Sequence, residues 1–314
     1  MKKICDGAYY LQGDINVGVI AFDVSGTSHL YLVDSGSEPE SGDALWNELE
    51  NFFVGGFVVD AIINTHGHSD HVGLDHYIQS RTGCKIYISR TESVIVRNLS
   101  ASIERIWGAS CIHQLKKWYT LRESFSPTDI CAAGDSISLD GDAKIDLIPL
   151  YGHSAEQLGI VYTNAAGKKV VFAGDAFLGI DELDKCKISF QESPVEAMET
   201  MEMLLDFDAD YFVQSHGNVA NDSRQAKVLI KKNLDTLKKL SDLALELISK
   251  KKRTVEEIVS RAMKCFKIPQ RPVSYALIFS TTKSLLSELY EAGRIGINLK
   301  KGKFYWTKKI ATKK

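Results

Sequence analysis

Three imidazoles and one carboxylate lie within six residues of this sequence. They are His66, His68, Asp70 and His71, and they follow the apolar run Ala61–Ile63. Imidazole and carboxylate are the side chains that bind Zn²⁺, iron or Mn²⁺ at neutral pH. A β-branched apolar run predicts a buried strand, and glycines directly after it predict a tight exit loop. The pattern therefore predicts a metal-binding loop at a strand end, and a solvated histidine-rich loop is the alternative.

Three more candidate ligands follow predicted strands, each beside a glycine. They are His153 after Ile145–Leu150, Asp175 after Val170–Ala173 and His216 after Tyr211–Val213. A glycine at such a position lets the backbone approach its neighbours closely. One histidine at a strand end means little, but three further ligands in the same kind of position strengthen the metal interpretation of the first loop.

Strands and helices alternate before residue 220, which predicts an α/β or mixed (α+β) layered fold. Besides the strands already named, the pattern predicts strands over Ala8–Leu11, Val17–Phe22, Leu30–Val33, Val58–Ile63, Lys85–Ile88, Ile137–Leu139 and Gly159–Tyr162.

Residues 90–130 differ and form a predicted helical insert between His71 and His153. Apolar residues at helical spacing predict one helix from Val94 to Trp107 and another from Leu115 to Leu121. We expect this insert to cover the metal site. Trp107, Trp118 and Tyr119 are candidates for lining a substrate pocket there, with helix packing as the alternative because aromatic side chains mostly serve burial.

The composition is that of an ordinary globular protein, with 314 residues, 44% hydrophobic and 25% charged. The sequence contains no uninterrupted run of about 18 apolar residues, so no membrane span is predicted. The first residues have no apolar signal-peptide core, so we expect a cytoplasmic protein that does not bind a membrane. Six cysteines are scattered without a Cys-x-x-Cys pair, which argues against a disulfide framework and against a thiolate zinc site.

The net charge of −2 hides a strong asymmetry. Residues 1–220 carry 15 Lys and Arg against 32 Asp and Glu, whereas residues 221–314 carry 23 against 8. Such a split predicts a catalytic domain over 1–220 and a small basic domain over 221–314. The second part is predicted to form helices, one with a capping box at Thr254 and Glu257, followed by a hairpin with lysines at its tip. Helices and then a hairpin are the order of a winged helix.

Over about residues 5–220 the chain resembles the metallo-β-lactamase superfamily. The resemblance rests on four motifs in the expected order, which are His66-x-His68-x-Asp70-His71, Gly152-His153-Ser154, Gly174-Asp175 and Ser215-His216-Gly217. It implies an αββα sandwich with two divalent metal ions. Zinc is the expected metal, and iron or manganese are alternatives. It also implies the ligands. The first metal is expected on His66, His68 and His153, the second on Asp70, His71 and His216, with Asp175 bridging both.

Two divalent ions about 3.5–4 Å apart can share a hydroxide, lower its pKa and polarise the bond under attack. The bridging hydroxide is therefore the expected nucleophile, and Asp70 and Asp175 are the protein residues assigned to catalysis. The sequence predicts a metallo-hydrolase.

An aspartate at position 175 and a histidine after Asp70 fit the hydroxyacylglutathione hydrolases, lactonases, phosphodiesterases and RNases of the superfamily. The stretch Phe172–Phe177 looks like that of hydroxyacylglutathione hydrolases, although Tyr151 replaces their usual proline and Leu74 a common glycine. His68 stands where flavodiiron oxygen reductases carry glutamate, which disfavours redox chemistry.

The leading hypothesis is hydrolysis of a small ester, thioester or lactone. The alternative is a metal-dependent endoribonuclease or phosphodiesterase, guided by residues 221–314, because lysines neutralise phosphates. The third is a metal-dependent sensor that controls the winged-helix part. The basic part has a further alternative role, which is docking onto the acidic domain or onto a second copy in a homodimer.

Overall fold

A computed structural model describes residues 1–37, 42–97, 100–116, 125–139 and 141–309. The strands are β1 (Lys2–Cys5), β2 (Ala8–Gln12), β3 (Asn16–Val24), β4 (Thr27–Val33), β5 (Phe57–Ile63), β6 (Lys85–Ser89), β7 (Asp129–Cys131), β8 (Ser136–Ser138), β9 (Lys144–Pro149), β10 (Leu158–Thr163), β11 (Lys169–Phe172), β12 (Tyr211–Val213), β13 (Ile295–Lys300) and β14 (Lys303–Lys308). The helices are α1 (Gly42–Phe52), α2 (Ser69–Val72), α3 (Asp75–Thr82), α4 (Arg90–Arg97), α5 (Ser100–Trp107), α6 (His113–Lys116), α7 (Ile180–Cys186), α8 (Pro194–Asp206), α9 (Ser223–Lys250), α10 (Val255–Phe266) and α11 (Pro272–Glu291).

The first sheet joins β1 to β7 in sequence order within the described residues. Strands β1 to β4 pair antiparallel, whereas β4, β5, β6 and β7 pair parallel. Parallel neighbours point the same way and need crossover connections, which α1 supplies between β4 and β5. The residues that follow β4 and β5 therefore emerge side by side at one edge of the sheet.

The second sheet has the order β12-β11-β10-β9-β8. Its β11 and β12 are parallel, so the residues that follow them emerge together. The antiparallel partner β10 begins beside the end of β11, and β9 ends beside the start of β10. The connection between β9 and β10, which carries His153, thus lies at the same edge.

Alternating side chains place the two sheets face to face with helices outside. Ile20, Val33 and Ile63 lie in the cluster between the sheets, while Val19 and Ile62, on the opposite faces of the same strands, pack with α1 and α3. This is the expected period of two along a strand. Together with the helices that cover the second sheet, the layers form the predicted αββα sandwich, which is confirmed.

The second sheet is covered by α8 and by the C-terminal helices in one apolar cluster. That cluster runs from Val171 and Phe212 through Met201 to Leu234 and Ile278. Hydrogen bonds reinforce this contact. The side chain of Asn233 accepts from the Leu178 N–H at 3.1 Å and donates to the Leu178 carbonyl at 2.9 Å.

The C-terminal part contains α9, α10, α11 and the hairpin β13–β14, and the capping box at Thr254 and Glu257 is confirmed. Lys300, Lys301 and Lys303 at the hairpin tip are exposed. The domain division at residue 220 and the winged-helix class stay predictions.

The helical insert differs in detail from its prediction. In place of one helix there are two, α4 and α5, and residues 98–99 between them lie outside the described residues. Val94, expected to face inward, is 65% exposed, because Glu92, Ser93 and Val96 form the buried side of α4. Trp118, Tyr119 and Leu121 also lie outside the described residues. No helix among the described residues is long and apolar enough to cross a bilayer.

Candidate metal centre

All seven sequence-predicted ligands meet at the edge where the strand-end loops of both sheets converge. Their donor atoms form three overlapping groups, each with all atoms within 4.8 Å of one another. The groups are His66, His68 and His153, then His66, His71 and Asp175, and then Asp70, His71 and His216. Two of them contain the same residues as the two expected metal sites. We call His66, His68 and His153 the first group, and Asp70, His71 and His216 the second group.

The first group is made of three nitrogens that face one another. Nδ1 of His68 lies 2.9 Å from Nε2 of His66 and 3.0 Å from Nε2 of His153. His66 is fully buried, and the other two are 6% exposed. Three imidazole nitrogens converging in a dry pocket form the donor set that a divalent transition metal prefers.

The second group is made of two imidazoles and a carboxylate, with Asp175 beside them. Nε2 of His216 lies 3.2 Å from Oδ2 of Asp70, and Nε2 of His71 lies 4.0 Å from the same oxygen. Asp175 faces both groups, since its oxygens lie 3.4 Å from Nε2 of His71, of His216 and of His153. Asp175 thus has the position expected of a bridging carboxylate.

The outer nitrogens of four imidazoles are held by fixed acceptors. Nδ1 of His153 bonds the Phe190 carbonyl at 3.0 Å, and Nδ1 of His216 bonds the Asp14 carbonyl at 3.1 Å. In each case a proton on Nδ1 leaves the lone pair of Nε2 directed into the site. His71 and His66 are held by the carboxylate and hydroxyl described next.

Asp34 is the residue that ties the end of β4 to the metal-binding loop. Its carboxylate lies 2.8 Å from Nδ1 of His71 and accepts the Thr65 N–H at 2.7 Å and the Thr65 hydroxyl at 2.9 Å. The Thr65 oxygen in turn lies 3.0 Å from Nδ1 of His66. Asp34 is buried and adopts a φ of 59°, a left-handed conformation that costs a non-glycine residue roughly 1–2 kcal/mol. From the sequence alone, Asp34 is expected to be a turn residue, because it ends a predicted strand and precedes Ser35 and Gly36, and a role beside the ligands is the alternative.

Three further supports carried no signal in the sequence. Glu92 accepts the Gly67 N–H at 3.0 Å, and Gln157 accepts the Asp175 N–H at 3.0 Å, so buried polar side chains fix the two ligand-bearing loops. The ring of Phe190 packs against His153 and His68, with ring centres 5.7 and 6.1 Å apart. It forms an apolar wall of the site.

The glycines beside the later ligands are needed where the backbone approaches its neighbours. Gly152 has a φ of 119°, and a Cβ there would lie 2.2 Å from the backbone nitrogen of Ala197. Gly217 has a φ of 86°, and a Cβ there would lie 2.6 Å from Oδ1 of Asp181. Neither position accepts a side chain, which confirms the close approach expected from the sequence.

Burial and charge divide the imidazoles into two kinds. Burial lowers the pKa of His68 and of His153 to about 4 and that of His66 well below its ordinary value. Burial also lowers the pKa of His71, but the Asp175, Asp34 and Asp70 carboxylates outweigh it and raise the value to about 10. The first group is therefore neutral at pH 7, whereas the second holds protons wherever a cation does not replace them.

A further observation supports a divalent metal at this set of donor atoms. Nε2 of His71 and Oδ1 of Asp175 are buried and lie 3.4 Å from each other, yet neither makes a hydrogen bond to any described residue. A buried polar atom is normally paired, because leaving it unpaired costs about 1–3 kcal/mol. Both residues belong to one of the groups of converging donor atoms, so a cation bound there would satisfy them.

Comparison with known proteins agrees with this geometry. Residues 11–216 match the family model described as the metallo-beta-lactamase superfamily. A beta-lactamase domain protein from Burkholderia ambifaria superposes with a TM-score of 0.75 at 15% identity, covering 98% of this chain and 92% of its own. A metallo-beta-lactamase family protein from Thermus thermophilus gives 0.71 at 17% identity, covering 98% and 100%.

A class B3 di-zinc metallo-beta-lactamase from an Alaskan soil metagenome gives a TM-score of 0.55 at 15% identity, covering 76% of this chain and 91% of its own. No curated protein has significant sequence similarity to this chain.

The chain belongs to the metallo-β-lactamase superfamily, since the family model spans most of its length. With this fold and this histidine cluster it is a metallo-hydrolase that uses divalent metal.

Replacing Asp34 with asparagine should weaken metal binding about 10- to 100-fold, because His71 and the Thr65 N–H bond different oxygens of Asp34 and an amide replaces one of them with an NH2 donor. Chelator competition on the purified protein measures this. The matched control is Asp60→Asn, whose carboxylate pairs with His29 at 2.9 Å away from the ligands and should leave metal affinity unchanged. Equal affinities in wild type and Asp34→Asn would contradict the role of Asp34.

Metal binding should release protons. Without metal, the raised pKa values of His71 and His216 keep both imidazoles protonated at pH 7.5, and a cation can bind only their neutral form. We expect about two protons released per chain and an affinity that falls as the pH is lowered. Calorimetry in buffers of different ionisation enthalpy counts these protons. A binding enthalpy that is the same in all buffers would contradict the assignment.

Proposed function

We propose that this protein hydrolyses a small ester, thioester or lactone at a dinuclear centre. The first metal binds His66, His68 and His153, the second binds Asp70, His71 and His216, and Asp175 bridges them. Zinc is the proposed metal, with iron or manganese as alternatives.

The convergence of Asp175 on both groups is the observation that carries this proposal. One carboxylate lies 3.4 Å from an imidazole nitrogen of the first group and from two of the second. Two cations sharing that carboxylate would supply a water of lowered pKa for attack and polarise the bond under attack. The protein's own part is to fix the ligands and exclude bulk water.

The uneven exposure of the ligand side chains supports a small substrate. The side chains of Asp70 and His216 are 38% and 21% exposed, whereas His68 and His153 are nearly buried beside Phe190. Access is therefore on the Asp70 side, and the apolar wall limits the space on the other. A compact acyl group fits such a site better than a polymer that must pass across it.

The second candidate is cleavage of a nucleic acid, and the hairpin favours it. Among its apolar residues Phe304 is 47% and Leu299 76% exposed, beside three exposed lysines at the tip. Lysines around an aromatic ring suit phosphates and stacked bases. Trp306, by contrast, is 6% exposed and packs in the apolar cluster of the C-terminal helices.

Asp175→Ala and His68→Ala should each abolish turnover while the fold survives, because both residues lie in the centre and neither belongs to an apolar cluster. The assay presents zinc-, manganese- and iron-loaded protein with thioesters, lactones, phosphodiesters and RNA, and circular dichroism reports folding. His29→Ala, which removes a histidine paired with Asp60 away from the ligands, is the control. Retained turnover in either variant would refute the dinuclear mechanism.

Salt separates the two candidate functions. Hydrolysis of a small ester should change little between 50 and 200 mM salt, and charge reversal at Lys300, Lys301 and Lys303 should also leave it nearly unchanged. Cleavage of RNA should fall steeply with both, since each phosphate contact contributes to the salt dependence. Ester turnover that follows the charge-reversal series would contradict the small-substrate proposal.

A further inference from the structure

A cavity of about 180 Å³ lies beside the metal centre, between the turn that joins β2 to β3, the loop after β4 and helix α1. Its walls are mainly aliphatic, and the side chains are those of Leu11, Ile15, Val17, Leu45 and Leu74. All five belong to or pack against the apolar cluster that the first sheet forms with α1 and α3. A concave apolar surface of this kind is the usual form of a small-molecule site.

The lining of the cavity is hydrogen-bonded to two of the proposed metal ligands. In the turn between β2 and β3, the Asp14 carbonyl accepts from Nδ1 of His216 at 3.1 Å. In the loop after β4, the N–H groups of Ser35 and Gly36 donate to the His71 carbonyl at 2.7 and 3.2 Å. The cavity therefore adjoins the second group of ligands, which is the side from which the centre is accessible.

Two polar side chains of the lining are engaged with other residues of the protein. The Ser35 hydroxyl donates to the His71 carbonyl at 3.2 Å and accepts from the Leu74 N–H at 3.1 Å. The Gln12 amide donates to Oδ1 of Asn218 at 2.9 Å. A ligand in the cavity would thus meet mostly aliphatic surface, which suits a hydrocarbon group better than a polar one.

The charged residues of the lining are both acidic. They are Asp14 and Glu48, which are exposed, and Glu48 pairs with the amino group of Met1 at 3.0 Å. Among the described residues, no lysine or arginine lines the cavity. A carboxylate or phosphate on the entering group would therefore meet like charge and no cation, so the group that fits is neutral.

The volume of the cavity limits the size of that group. An apolar cavity of roughly 150 Å³ inside a protein holds one molecule of benzene. At about 180 Å³, this cavity can take a chain of about six carbon atoms. Burial of each methylene of such a chain strengthens binding about fourfold.

We propose that this cavity binds the acyl chain of the substrate, so that the ester, thioester or lactone carries a neutral aliphatic chain of about six carbon atoms. This inference rests on the proposed function. With the chain in the cavity, the substrate would present its carbonyl to the exposed side of the second group of ligands. A cavity that is only a packing defect predicts turnover independent of chain length.

The test follows kcat/KM of the zinc-loaded protein along the 4-nitrophenyl esters of acetate, butanoate, hexanoate and dodecanoate. We expect a rise of at least about 10-fold from acetate to hexanoate and no further rise to dodecanoate, because the end of a longer chain stays in water. The mono-(4-nitrophenyl) ester of adipic acid, which is hexanoate with a terminal carboxylate, should be hydrolysed less efficiently than hexanoate.

Ala44→Phe should fill the cavity from α1. It should lower the hexanoate-to-acetate ratio of kcat/KM about 10-fold and leave the value for acetate unchanged, because Ala44 lines the cavity and is not a proposed ligand. Asn47→Phe is the matched control, since Asn47 is also exposed on α1 but does not line the cavity. Leu45→Ala should enlarge the cavity and shift the preference to longer chains, whereas a general loss of structure would lower turnover of all esters alike.

A second readout does not depend on turnover. Hydroxamic acids bind metal ions through their head group, so calorimetry can compare hexanohydroxamic with acetohydroxamic acid on the zinc-loaded protein. The longer acid should bind at least about 10-fold more tightly to wild type and to Asn47→Phe, and Ala44→Phe should remove this difference.

A flat ester series, equal binding of the two acids by wild type, or the same result in Ala44→Phe and Asn47→Phe would overturn the inference. Absence of ester and thioester turnover by wild type would instead refute the proposed function, while the hydroxamic acids would still decide whether the cavity binds a chain.

Discussion

The structure depends on one electrostatic constraint, which is that four buried or nearly buried imidazoles and a buried carboxylate share one small space. Without a cation, nitrogens 2.9–3.0 Å apart must share protons, and two buried donor atoms make no hydrogen bond to the described residues. Desolvation makes this arrangement costly, and divalent cations offset that cost. The sandwich solves the geometric part of the problem, because the strand ends that carry the ligands all emerge at one edge.

Stability and function are linked through residues just outside the ligands. Asp34 adopts a left-handed backbone conformation and in return holds both His71 and Thr65. Strain of this kind persists where the surroundings fix it, and it is common at functional sites. The C-terminal helices take part as well, since Asn233 on α9 pairs with Leu178, three residues after Asp175.

Much of this could be predicted from the sequence, for a physical reason. Each ligand lies a few residues after an apolar strand, so local pattern and residue type suffice to find it. Long-range partners leave no such trace, as the bond between Asp34 and His71 spans 37 residues and that between Arg105 and Glu192 spans 87. In α4 the spacing of apolar residues predicts the wrong buried side, because polar Glu92 faces the metal-binding loop while Val94 faces solvent.

We expect the seven donors to hold two cations. Anomalous diffraction at the zinc absorption edge, from crystals grown with zinc, tests it most directly. Two strong peaks are expected, one contacting His66, His68 and His153 and the other Asp70, His71 and His216, with Asp175 touching both. No anomalous peak among these side chains, in crystals where they stand apart from one another, would contradict it.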